Sequence, residues 1–109
     1  MTISNNHINA CFEAWINCEN LVASLSAERH TLSRQVVKIV DECALICMGT
    51  FHALKTFSPN IKNLALLCVG ICEECAEMCE DEADDRLKQC AHICRKCSAT
   101  VSKLAFSKS

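Results

Sequence analysis

The chain has 109 residues, a formal net charge of −2, eleven cysteines, two glycines, one proline and no tyrosine. That length suits one domain with a modest core, and the charge balance excludes the basic footprint of a nucleic-acid binder. Scarce glycine, proline and aromatic residues favour helices over a sandwich or barrel, and no apolar run reaches the roughly 18 residues that a membrane span requires.

The first predicted helix covers residues 4–24. Its start, MTISNNHINACFEAW, has no basic n-region, apolar h-region or small-residue cleavage site, so the expected compartment is the cytoplasm. His7, Cys11, Trp15, Cys18, Val22 and Leu25 share one face. Ser24 to Ala27 (SLSA) is read as a turn, with Ser26 capping the next helix. The second helix, 27–57, carries Leu32, Val36, Val40, Cys43, Cys47, Thr50 and Leu54 along one stripe. Ser58-Pro59 predicts a start, with Ser at the cap and Pro at the first helical position. The third helix, 59–81, aligns Ile61, Leu64, Cys68, Cys72, Cys75 and Cys79. Eight of the 13 acidic residues lie between Glu73 and Asp85, which reads as a solvated helix end and turn. The fourth helix, 84–106, aligns Leu87, Cys90, Cys94, Cys97, Val101 and Leu104. Short connections make neighbours antiparallel. The expected fold is all-α: an antiparallel up-down-up-down four-helix bundle with a cysteine-lined core, one metal-binding domain over residues 1–109.

The stretch CVGICEECAEMC, Cys68 to Cys79, sets its thiols four, three and four residues apart. At about 100° per residue, such positions fall within a stripe roughly 60° wide. The pattern repeats: Cys90, Cys94, Cys97 and Val101 copy it with one loss, Cys43, Cys47 and Thr50 with another, and Cys11, Trp15 and Cys18 with a third. All eleven cysteines then face the bundle axis.

Helical neighbours four residues apart have Cβ atoms roughly 5–6 Å apart, too far for a disulfide, which wants about 3.5–4.5 Å. A reducing compartment opposes pairing between helices as well. Structural zinc closes a four-ligand shell, and an iron–sulfur cluster takes about four thiolates; neither accounts for eleven thiols. A thioredoxin-like motif needs a βαβ context that this chain lacks. Soft thiolates select soft metals, Cu(I) among them. Thiols in a column can hold many such ions in a row. A buried cysteine can also serve as a small hydrophobe, but leucine or alanine would fill the seam without the oxidation liability.

CFEAWINC, DECALIC, CVGICEECAEMC and CAHICRKC together resemble the cysteine-rich four-helix-bundle copper storage proteins of bacteria, from about Cys11 to Leu104. The resemblance implies multiple Cu(I) ions per chain, held by the thiolates of Cys11, Cys18, Cys43, Cys47, Cys68, Cys72, Cys75, Cys79, Cys90, Cys94 and Cys97. It also implies a homo-oligomer, commonly a tetramer. Trp15, Thr50 and Val101 stand where the repeat would place thiols, and the acidic turn has no histidine, so capacity is expected below that of richer members. The expected partners are copper ions and a copper donor, with no nucleic acid and no membrane. No nucleophile–base pair or phosphate loop points to an enzyme. The alternatives are a redox-responsive thiol protein, a zinc or iron–sulfur bundle, and a plain helical interaction module.

At about 1.5 Å per residue, Cys11, Cys47, Cys68 and Cys97 form one level, Cys18, Cys43, Cys72 and Cys94 the next, then Cys75 and Cys90, with Cys79 outermost. The end holding His7 is expected to be plugged by Phe51, Leu54, Phe57 and Leu64. The opposite end, with Met78, Cys79 and the acidic turn, is expected to be the mouth. His7 and Met78 are candidate auxiliary ligands, although capping or core packing suits His7 and packing suits Met78. His30, His52 and His92 are expected at the surface.

Overall fold

The computed structural model describes residues 2–28 and 34–106. It consists of α1 (Asn5–Ala27), α2 (Arg34–Thr56), α3 (Ile61–Glu80) and α4 (Asp85–Ala105). Each helix packs on two others in a closed square, α1 against α2 and α4, α3 against α2 and α4. The bundle is a rod of 46 × 21 × 19 Å. The α3–α4 contact is the most extensive and the α1–α4 contact the thinnest. No helix among the described residues is long and apolar enough to cross a membrane.

The boundaries differ from the sequence expectation in instructive places. SLSA is not a turn: α1 runs through Ser26 to Ala27. Nothing in SLSA breaks a helix, and Leu21 and Leu25, both buried, extend the core stripe by another turn. Ser26 therefore lies inside α1, and residue 27 ends that helix instead of beginning the second. His30 and Leu32 lie outside the described residues. At the end of α2, Phe57 adopts φ 53° and the Ser58 N–H donates to the Ala53 carbonyl at 3.0 Å. This is the left-handed closure usually given to glycine. Ser58-Pro59 then forms a turn instead of the helix start: Ser58 Oγ accepts from the Asn60 N–H at 3.1 Å, and α3 begins at Ile61, two residues later than expected. At α4 the acidic residues act as read, with Asp84 accepting the Arg86 N–H at 2.8 Å as the N-cap.

The core holds two kinds of side chain. Near the α1 N-terminus and α4 C-terminus it is apolar: Leu54 and Val101 are fully buried, with Ile61 and Leu104 almost so. Thr50, also fully buried, satisfies its hydroxyl by donating to the Ile46 carbonyl at 2.8 Å. Phe57 does not help to plug this end, being 74% exposed, because its left-handed backbone turns it away from the bundle. Phe51 is half-buried on the outer α1–α2 seam, where it meets Phe12 and Trp15 with ring centroids 5.4 and 5.6 Å away. Along the rest of the rod the core combines the thiols with buried apolar side chains, among them Leu25, Val36, Val40 and Leu87.

Candidate metal centre

Each of the eleven thiols is free, and each is 0 or 1% exposed. α1 contributes Cys11 and Cys18, α2 Cys43 and Cys47, α3 Cys68, Cys72, Cys75 and Cys79, and α4 Cys90, Cys94 and Cys97. The spacing places them inward because the other faces of these helices carry Glu, Lys, Asn and Ser, which favour water.

The Sγ atoms form one connected column. Cys47 lies 3.8 Å from Cys68 and 3.7 Å from Cys72. Cys68 lies 4.0 Å from Cys72 and 3.9 Å from Cys97. Cys43 joins this set to the next layer, at 3.9 Å from Cys47, 3.8 Å from Cys72 and 3.8 Å from Cys94. Cys18 lies 4.0 Å from Cys94 and 3.8 Å from Cys90, and Cys75 lies 3.9 Å from Cys79. Three groups have their Sγ atoms within 4.8 Å of one another: Cys47/Cys68/Cys72/Cys97, Cys18/Cys43/Cys75/Cys94 and Cys75/Cys79/Cys90. Cys11 touches Cys68 and Cys97. The order of levels therefore follows the expectation with one correction. Cys72 groups with the Cys47 layer and Cys75 with the Cys18 layer, because the three-residue step from 72 to 75 crosses from one layer to the next.

Protonation follows from the packing. Thiol contacts push Cys11, Cys18, Cys47 and Cys72 well above the ordinary thiol range, and burial adds to the effect. At Cys79 a hydrogen bond from Cys75 favours the thiolate, but the Cys90 contact and burial outweigh it and the thiol is raised. Cys68 is pushed down, because Cys11, Cys47, Cys72 and Cys97 all donate to it. Cys43, Cys94 and Cys97 are lowered as well, each chiefly by thiols that donate to it, so the contacts of the column favour protonated donors beside a few thiolate-favouring acceptors.

His7 is buried on the stripe one turn before Cys11, yet its Nδ1 accepts the Ser4 backbone N–H at 2.9 Å. A backbone N–H only donates, so in the neutral ring the proton sits on Nε2 and that nitrogen has no free lone pair. Burial, with Lys103 nearby, also holds its pKa below the usual histidine value. This geometry makes His7 a cap of α1. Met78 is half-buried in the outer α2–α3 groove beside Ile39, Glu42 and Glu74. His52 and His92 are exposed.

The acidic segment is more structured than a solvated turn. Glu73 accepts from Ser98 Oγ at 2.7 Å and pairs with Arg95, which also pairs with Glu80. Arg86 forks onto both Glu28 oxygens, at 2.7 and 3.0 Å, and onto Asp84. These contacts tie α4 to α3 and to the end of α1. The sequence signal for them was Arg95 and Ser98 three residues apart, on the flank of α4 that adjoins the Cys94–Cys97 stripe.

The family model described as copper storage protein matches residues 2–106. An uncharacterised cysteine-rich protein of Bacillus subtilis (strain 168), YhjQ, is 31% identical over 100 residues, covering 90% of this chain and 92% of its own. The Cu(I)-bound copper storage protein BsCsp3 superposes with TM-score 0.88 at 29% identity, covering 95% of this chain and 99% of its own. The apo form of copper storage protein 3 from Bacillus subtilis superposes with TM-score 0.85 at 31% identity, over 94% of this chain and 98% of the other.

Proposed function

The chain belongs to the copper storage protein family, and we propose that it stores and buffers several Cu(I) ions per molecule on the thiolates of its core. The observation that carries this reading is the unbroken Sγ column, eleven thiols all shielded from water. A single-ion carrier has no use for such a column. Each incoming Cu(I) displaces a thiol proton, and each thiolate so formed is neutralised by one monovalent ion. This matters because an uncompensated charge in a dry core is costly. Repeated along the column, the exchange fills the core with little net charge. Soft sulfur selects Cu(I) over the hard cations.

The cysteines named above are the ligands in this reading. Eleven free thiols need a reducing compartment, which supports a cytoplasmic site of action, and the protein acts as a store and not as an enzyme. A copper donor supplies the ion. The homo-oligomer implied by the family resemblance gains support from the outer α1–α2 face, where Phe12 and Leu45 are 46% and 57% exposed.

Anaerobic titration of the reduced protein with Cu(I) against a chromophoric chelator tests the reading. The expected result is tight uptake of several equivalents. Saturation at one equivalent contradicts storage. Reversible thiol loss under mild oxidant, without copper uptake, favours the redox-responsive alternative, for which the interhelical contact of 3.7 Å between Cys47 and Cys72 offers a starting geometry.

A further inference from the structure

We propose that Cys47, Cys68, Cys72 and Cys97 also form a preorganised tetrahedral site for one divalent cation of the zinc class, held by the copper-free chain and displaced by Cu(I). Zinc cannot account for eleven thiols, but it can use four. A tetrahedral site with metal–sulfur bonds of about 2.3 Å has sulfur–sulfur edges of about 3.8 Å. Four edges of this group measure 3.7, 3.8, 3.9 and 4.0 Å, and all four sulfurs lie within 4.8 Å of one another. A divalent ion could therefore enter without repacking the helices.

The neighbouring group, Cys18/Cys43/Cys75/Cys94, draws one thiol from each helix and so depends on α1, whose seam with α4 is the thinnest in the bundle. The proposed group needs only α2, α3 and α4. Half of it, Cys68 and Cys72, is set by one turn of α3. It also borders the apolar plug, where Leu54 and Val101 are fully buried. It is the better preorganised of the two.

Charge limits the site to one ion. A divalent cation on four thiolates leaves two net negative charges in a dry core, and a second such centre in the touching layer (Cys43 to Cys72 is 3.8 Å) would place two dianions side by side. Cu(I) avoids this by entering one ion per thiolate, and therefore displaces the divalent ion. The site goes beyond copper storage and does not rest on it.

Cobalt(II) is the probe, added anaerobically to the reduced, metal-free full-length protein. The expected result is one tight equivalent with the intense visible absorption of a tetrahedral tetrathiolate, bleached by zinc(II) and by Cu(I). Cys97→Ser should weaken cobalt binding by roughly tenfold or more and shift the absorption, whereas Cys79→Ser should change neither. Circular dichroism of each metal-free variant checks folding, and Cys47→Ser replaces Cys97→Ser if the latter does not fold. No tetrathiolate absorption, two equivalents of equal affinity, or an equal loss in Cys79→Ser would each overturn the site. A chain that fails this test but still takes up several Cu(I) ions remains a copper store without a divalent site.

Discussion

At the Leu104 end the inward stripes carry Thr50, Leu54, Ile61, Val101 and Leu104 and no cysteine; along the rest of the rod the same stripes carry eleven thiols interleaved with Leu25, Val36, Val40 and Leu87. The two regions share helices, periodicity and burial, and differ in side-chain chemistry alone. Fully burying a leucine contributes about 1.5–3 kcal/mol. A thiol contributes less, and its release to metal takes away a proton. The apolar end together with Val36, Ile39, Val40 and Leu87, all buried in the thiol half, can hold the bundle while the sulfur is committed to ligation. This division separates the protein from a zinc finger, whose folding energy is its metal-binding energy.

The largest expected effect comes from breaking the apolar side of the comparison. Leu54→Ala should cost about 2–5 kcal/mol, read by denaturant unfolding of the metal-free protein, while the folded variant keeps its full complement of Cu(I). A capacity that falls with stability would show that the plug belongs to the metal column.

Next come the thiols themselves. Cys72 sits between two layers, touching Cys43 and Cys47, whereas Cys79 lies in the last turn of α3. Cys72→Ser should lose tight copper binding with little change in initial loading rate, and the buried hydroxyl should cost about 1–3 kcal/mol if unpaired. Cys79→Ser should slow loading while removing little capacity. Stopped-flow loading of both variants separates the cases; the reverse pattern would put the mouth at the His7 end.

Val101→Cys sharpens the boundary, because it restores a thiol one turn beyond Cys97 where the repeat lapses. The swap should cost less than about 1.5 kcal/mol and raise the Cu(I) bound at saturation. Unchanged capacity would mean that the column ends for a reason other than the missing sulfur.

Alkaline titration gives a smaller effect. Cys43, Cys68, Cys94 and Cys97 are lowered and act in the opposite sense, but they are outnumbered: the contacts and burial that raise Cys11, Cys18, Cys47, Cys72, Cys79 and Cys90 favour the protonated folded form. Their stabilisation is fully present below the ordinary thiol value of 9.0 and is lost as pH rises above it. Melting temperatures of the metal-free protein should therefore fall on going above that pH, and Cu(I) loading should abolish the trend. The smallest shift is expected from Arg86→Ala, which removes the exposed clasp to Glu28 and Asp84. Melting temperature should drop slightly, and less so at high salt.

Much of this was legible in the sequence because a cysteine stripe with a four-three-four rhythm has only one geometric reading on a helix. The stripes of Cys68–Cys79 and Cys90–Leu104 determine which faces meet, and antiparallel order then sets the levels. The failures have local causes. The serines of SLSA suggest a turn, yet Leu25 holds that segment in the core. Ser58-Pro59 has the composition of a helix start, but the left-handed closure at Phe57 uses Ser58 as part of the turn. His7 is not among these failures: it shares the cysteine face, and of the ligand and capping readings the Ser4 N–H on its ring nitrogen supports the cap. The grouping of Cys72 with the Cys47 layer depends on how the helices sit axially against one another to within a few ångströms, a quantity that side-chain packing sets and composition does not.

The central claim is that copper occupies the thiol column and stops at the apolar plug. Anomalous diffraction at the copper edge from crystals of the Cu(I)-loaded protein tests it most directly. The account predicts several copper peaks in a row along the bundle axis, from the level of Cys11 and Cys97 to that of Cys79, and none beside Leu54, Ile61 or Leu104. A single copper position, or copper bound chiefly at the surface carboxylates between Glu73 and Asp85, would contradict it.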